Sequence, residues 1–296
     1  MFVKCLPRVL GIFLAISTCF APYLFAQADP GQELNSGTQA LRKGKYQEAA
    51  EHFERFVALA PQNAFAHLDL AAAYAGQVVP GVDSPDNDRL AEKAIEQYQY
   101  AIDSSPMVGL KVNGAKGIGY LYLQMKKFDK AKDYYEKAVN FDPKDPEPYF
   151  SIAVIDWTVS YQFRQQERDK LQMRLEDSLP ARNKNVCAEV RDKNAGSVQD
   201  GIDNLSTALQ LRPNYDDAMA YMNLLYRERA DIQCDDSDAR ANDLKTADEW
   251  GSKAMAIKQA QIEEAKAREA KAKEAKARAA AKKKADQNSE PPANPQ

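Results

Sequence analysis

Histidine is nearly missing: His52 and His67 are the only two in 296 residues. That leaves little material for histidine-based catalysis or a zinc site. Cysteine is scarce too, with 4 residues and no C-x-x-C pair. No G-x-x-x-x-G-K-[ST], G-x-G-x-x-G, H-E-x-x-H or G-x-S-x-G occurs, so the usual phosphate-cradling, metalloprotease and nucleophile-elbow signatures are absent. The expectation is a chain with no catalytic residues, no metal and no cofactor. With 13 Gly and 15 Pro, the sequence is also too poor in turn formers for a β-sandwich or a collagen-like chain. A basic body is missing as well. Residues 258–285 hold ten Lys/Arg against four Glu, net +6, whereas 29–257 carry a net charge of -9. An acidic body argues against nucleic acid as a partner. The 44% hydrophobic content is enough for a sizeable core.

Only one long apolar run exists. Met1–Arg8 carries Lys4 and Arg8, Val9–Ala26 is apolar, and Ala26-Gln27-Ala28 forms an A-x-A end. This is the pattern of a secretory signal peptide over 1–28, cleaved near Ala28 so that the mature chain starts near Asp29. An uncleaved anchor helix stays open, although the run is short for a span and Pro22 interrupts it. Cys5 and Cys19 would leave with the leader. Cys187 and Cys234 would then face an oxidising compartment, where a disulfide forms readily.

The body repeats. Four segments end alike: Ala49/Phe53/Phe56/Pro61, Ala94/Tyr98/Ala101/Pro106, Ala131/Tyr135/Ala138/Pro143 and Gly201/Leu205/Ala208/Pro213. Spacings of four and three mark one helix face, and the closing proline stops the helix. Each is preceded by a second amphipathic stretch, at Leu34–Lys43, Ala64–Gln77, Asn113–Met125 and Glu147–Phe163, and a fifth follows at Asp216–Arg229. In the third unit Gly119, Tyr122, Phe128, Ala131, Tyr135, Ala138 and Pro143 stand at the spacings of the tetratricopeptide repeat (TPR), and the chain from about 30 to 257 resembles that family, in particular exported repeat proteins of Gram-negative bacteria. The resemblance implies an all-α fold, an α-α superhelix of about five helical hairpins, with the solenoid over 29–257.

Departures from the 34-residue period carry information. The repeat prolines sit 45, 37 and 70 residues apart. The first excess is the Pro/Gly/Asp-rich stretch Val78–Asp88. The last is about 161–196 in unit four, helical on both sides of Leu179-Pro180, read as an elongated hairpin projecting from the solenoid or as a degenerate extra repeat. Unit five has a similar insertion at Ala230–Lys245. If the second helix of unit four and the first of unit five run antiparallel about Pro213, Cys187 and Cys234 lie at similar chain distances on either side of it, and a bridge between them becomes geometrically reasonable.

From Lys258 the composition changes to repeats of EAKAR and EAKAK. These set Glu264–Arg268, Glu269–Lys273 and Glu274–Arg278 at the favourable i,i+4 order. With no large apolar residue after Ile262, 258–285 reads as a solitary charged helix of about 42 Å, and 286–296, with three prolines, as disordered.

Residue-level candidates are few. His52 and His67 could approach each other but lack a third ligand. Asp83/Asp86/Asp88 and Asp235/Asp236/Asp238 do not follow a calcium-loop pattern and read as solvated turns. The TPR resemblance implies that certain first-helix positions line a concave groove: Phe65 and Leu68 in unit two, Lys116 and Tyr120 in unit three, and Phe150, Val154 and Trp157 in unit four. Burial against neighbouring elements is the competing fate for them. The alternating Lys and Asn residues of chaperone-tail-binding members are not present. The expected function is a non-catalytic interaction scaffold of the periplasm or cell surface of a Gram-negative bacterium, holding a peptide or protein partner. The alternative is an envelope spacer whose basic 258–285 helix contacts anionic polymer or membrane.

Overall fold

The computed structural model describes residues 29–174 and 177–288. The leader expected over 1–28 lies outside the described residues. Among those described there are eleven helices and no strand: α1 (Pro30–Arg42), α2 (Tyr46–Leu59), α3 (Ala64–Ala75), α4 (Pro85–Ser104), α5 (Val108–Gln124), α6 (Phe128–Phe141), α7 (Pro146–Lys170), α8 (Leu179–Arg182), α9 (Lys184–Leu211), α10 (Asp216–Asp231) and α11 (Ser237–Asn288). They pair as hairpins α1/α2, α3/α4, α5/α6, α7/α9 and α10/α11, each packed on the next. The chain is thus an all-α solenoid of five hairpins.

Local signals set the boundaries. Helices α2, α4, α6 and α9 each stop two residues before Pro61, Pro106, Pro143 and Pro213, because proline cannot continue the hydrogen-bond ladder. Side-chain caps start the helices after two of these turns: Asn63 accepts from the Phe65 and Ala66 amides, and Asp145 from that of Glu147. Pro30, Pro85 and Pro146 occupy the first helical position, where their missing amide costs nothing. Within Val78–Asp88, Ser84 caps α4, and Asn87 fastens the loop through Val79 N (2.7 Å), Val79 O (3.0 Å) and Val82 O (2.8 Å).

The repeat residues are the core. Ala49, Phe53, Ala94, Ala101, Ala131, Ala138, Leu205 and Ala208 are fully buried. Small residues allow the two helices of a unit to meet closely. A methyl group on Gly37 would stand 2.8 Å from the Phe53 ring, so α1 rests directly on that aromatic face.

The long insertions do not stand apart. The 161–196 segment is the far end of the α7/α9 hairpin: it lengthens α7 to 25 residues and α9 to 28, with the one-turn α8 in the connection. The projecting hairpin expected from the sequence is covered along one side, because the unit five insertion supplies Ile232 and Cys234 after α10 and starts α11 at Ser237. The two extensions meet in a second small core of Leu179, Cys187, Val190, Ile232 and Cys234, flanked by Phe163, Leu171, Met173 and Val186. There Cys187 and Cys234 form a disulfide, with Cα atoms 5.7 Å apart. Apolar surface on a long hairpin must be buried, and two matched insertions bury each other's.

No break separates the solenoid from the charged segment. α11 runs 52 residues, serving first as the second helix of unit five and then leaving the body. Ala254 is the last buried residue among its described side chains, and 258–281 are exposed throughout. Glu264–Arg268, Glu269–Lys273 and Glu274–Arg278 pair at 2.6, 2.7 and 2.6 Å. The tail expected to be disordered from Asp286 is helical as far as Asn288; 289–296 lie outside the described residues.

Candidate functional site

First helices of neighbouring hairpins touch one another, α1 with α3, α3 with α5 and α7 with α10, and the side chains along this side of the solenoid fall into two groups. Toward the N-terminus the surface is sparse. Phe65 and Tyr120 are 53% and 50% exposed, and Leu68 is half-buried against the core of the first units. Lys116 is not a free cation on this face. Its ammonium donates to Asp145 at 2.9 Å and Glu147 at 2.5 Å, bridging α5 to the start of α7. Burial works against the charged amine, but the two carboxylates outweigh it and raise its pKa.

Farther along, α7 and α10 present a continuous aromatic surface. The Phe150 ring meets Tyr215 at 5.0 Å and the edge of Tyr221 at 5.4 Å. Trp157 stacks on Tyr161 at 5.1 Å and meets Tyr221 edge-on at 5.4 Å. Phe150, Trp157, Tyr215 and Tyr221 are half-buried, packed against the core of Ala153, Leu205, Met222 and Leu225 beneath. Val154 is half-buried one turn along α7 from Phe150. Burial pushes the Tyr215 hydroxyl up to about 12. These rings offer large contact area with few torsions to freeze, a surface suited to gripping apolar or aromatic side chains.

The groove positions named from the family resemblance therefore separate. Phe150 and Trp157 come together, joined through Tyr221, while Phe65, Leu68 and Tyr120 belong to other units. Sequence reasoning missed Tyr161, Tyr215 and Tyr221. Two of them precede or open the fifth unit, where the motif match is weak, and Tyr161 lies in the part of α7 assigned to the insertion.

Behind α7, Lys132 of α6 holds Asp156 at 2.9 Å. Asp156 is 4% exposed, and burial raises its pKa despite the lysine. This pair ties the third hairpin to the fourth.

The histidines do not meet. His52 faces Glu33 at 2.6 Å. His67 is buried on Tyr100, with ring centroids 3.9 Å apart, and contacts Gln97 Oε1 and the Pro61 carbonyl at 2.6 and 3.0 Å. Among the described residues no group of three or more His, Cys, Asp or Glu side chains is arranged to hold a metal ion. In the loops, Asp86 pairs with Arg89, Asp235 with Lys184, and Asp236 accepts from the Asp238 and Ala239 amides.

Residues 114–145 match the family model for the tetratricopeptide repeat. No curated protein sequence matches the chain. Among solved structures, it is similar to MamA of Desulfovibrio magneticus RS-1, with 15% identity, 78% of this chain and 96% of that one covered, and a TM-score of 0.49. A second MamA structure gives 12% identity, 79% and 94% coverage and a TM-score of 0.48. YrrB, described as a TPR protein with an unusual peptide-binding site, gives 12% identity, 79% and 92% coverage and a TM-score of 0.45.

Proposed function

We propose, from the premise that this chain is a tetratricopeptide-repeat protein, that it is an exported, non-catalytic scaffold that holds a peptide or protein segment along the face built by its first helices. The observation that carries this reading is the aromatic surface across α7 and α10, where Phe150, Trp157, Tyr161, Tyr215 and Tyr221 form one set of contacts. Such anchors dominate recognition of short segments. Phe65 and Tyr120, both half-exposed, extend the same face toward the N-terminus.

Export rests on the 1–28 leader pattern. On this reading the scaffold works in the periplasm or on the cell surface, and N-terminal sequencing of exported protein should return a start near Asp29. Crosslinking of the mature chain in its native envelope identifies the partner. The double variant Trp157→Ala/Tyr120→Ala then loses at least tenfold in affinity while its melting temperature stays within a few degrees of the parent. Early melting with no selective loss of binding would make these side chains core and overturn the site.

A second reading has its own support. The helix is exposed from 258 to 281, with Glu264–Arg268, Glu269–Lys273 and Glu274–Arg278 paired along it, a construction that resembles semi-rigid EAAAK spacers. On this reading the tail contacts anionic envelope material and holds the solenoid at a distance. Deleting 258–296 separates the two readings: envelope association is lost if the tail tethers, and partner capture survives if the groove binds.

A further inference from the structure

Beneath the aromatic surface lies a group of buried charges that recognition alone leaves unused. Arg164 of α7 donates from Nε and Nη2 to both carboxylate oxygens of Glu228, each at 2.7 Å. Its Nη1 lies 3.1 Å from the Asp231 carboxylate. Both acids belong to α10, and Glu228 is 3% exposed. Arg168, also 3% exposed, approaches Asp231 at 3.8 Å and donates to the carbonyls of Arg174 and Asp177. The end of α10 is thus docked on α7 by ions as well as by the small apolar core that joins Ile232 and Phe163.

Two paths lead out from this cluster. One runs to the binding face: the Arg164 guanidinium sits 5.3 Å from the Tyr161 ring, Tyr161 stacks on Trp157, and Trp157 touches Tyr221. The other runs to the disulfide. Cys187 Sγ lies 3.5 Å from the Asp231 carbonyl oxygen, and its partner Cys234 follows Asp231 by one turn of chain.

Buried ion pairs are weak clamps, because removing each charge from water offsets most of their attraction. A covalent bridge acts differently. By closing a 47-residue loop, it limits how far the end of α10 can move from α9 when the ions part. We propose that the Cys187–Cys234 bond and Arg164 act together as positioning elements for the aromatic surface, so that its geometry follows the oxidation state of the disulfide. Reduction by a small dithiol transfers two electrons and two protons to the bond. It leaves two cysteine thiols here and a cyclic disulfide on the reductant. With the bridge open, the ionic docking and the small apolar core around Ile232 are left to hold the end of α10, and Tyr221 separates from Trp157. The consequence for ligand binding rests on the function proposed above; the change of geometry does not.

The test needs no partner. In a Trp250→Phe background Trp157 is the sole tryptophan. Acrylamide quenching and hydrogen exchange are measured on the mature full-length chain, oxidised and after dithiothreitol reduction. The expected result is at least a twofold rise in Trp157 quenching and a tenfold or greater loss of amide protection confined to 157–170 and 219–234, with 46–141 unchanged. Oxidised Arg164→Met should shift Trp157 in the same direction while keeping its helical circular dichroism. Identical quenching and exchange in the two redox states would overturn the proposal. So would a loss of protection spread evenly over all five hairpins, since the bond would then be a general staple. If the arginine variant does not fold, the two redox forms of the parent still decide. Absence of any captured partner would count against the function and leave this result standing.

Discussion

The first three hairpins and the last two are built on one repeat but held together in different ways. In α1 to α6 the helices run to 20 residues at most, alanine and glycine pack against aromatic rings in a core shared with aliphatic side chains, and no disulfide intervenes. Gly37 under Phe53 and Gly119 under Tyr135 represent that style. In α7 to α11 the helices run to 25 residues or more except in α8 and α10, the packing faces carry stacked rings, and charges are buried at Asp156, Arg168 and Glu228. There a disulfide closes the far end. The contrast teaches that the repeat signature governs only the stretch near the turn prolines. Where helices outgrow that stretch, a second core must be supplied, and here two insertions supply it to one another.

The sharpest break in this comparison is Phe53→Ala. Phe53 is 0% exposed and fills the space under α1, so truncation should cost about 3–5 kcal/mol and shift the chemical denaturation midpoint of the N-terminal hairpins. Retention of parental stability would mean that the first unit contributes little to the fold. A finer test uses paired glycines. The added methyl in Gly37→Ala faces a rigid ring at 2.8 Å, whereas in Gly201→Ala the nearest atom, also at 2.8 Å, is the end of the Leu225 side chain. Overpacking against the ring should cost ~1–3 kcal/mol and against the leucine less, measured by urea titration of both variants. Equal costs would erase the distinction between the two packing styles. The smallest effect is expected from removing everything beyond Ile257. Residues 258–281 touch no core, so the melting temperature should stay within about a degree, as exposed substitutions away from special features usually do.

Much of this fold is legible in the residues. The Ala/aromatic/Ala/Pro spacing reports the helix face, and the prolines report where each hairpin turns, because both follow from single-residue chemistry. The end of α7 and the start of α11 are not legible in that way. Tyr161, Phe163 and Ile232 sit in polar stretches whose apolar positions are few, and only the neighbouring insertion reveals what they pack against. The aromatic surface is half-legible for the same reason. Phe150 and Trp157 lie at repeat positions, while Tyr215 and Tyr221 gain their meaning from α7, the neighbouring hairpin. Lys116 illustrates the opposite failure. Its position suits a groove, yet its charge is consumed by Asp145 and Glu147, whose proximity depends on how α7 begins.

The unbroken course of α11 has a mechanical consequence. The helix that packs on α10 continues without a break into the segment that leaves the solenoid, so no loop lies between the two. From Lys258 to Asn288 the arm measures about 46 Å at a rise of 1.5 Å per residue. A rocking of the fifth hairpin by about 5° would sweep its tip through roughly 4 Å on that same arm length. Displacements too small to register at the aromatic surface are thereby magnified at the far end of the lever, and a load applied at the tip is returned, with the same mechanical advantage, to the hairpin that carries Tyr221.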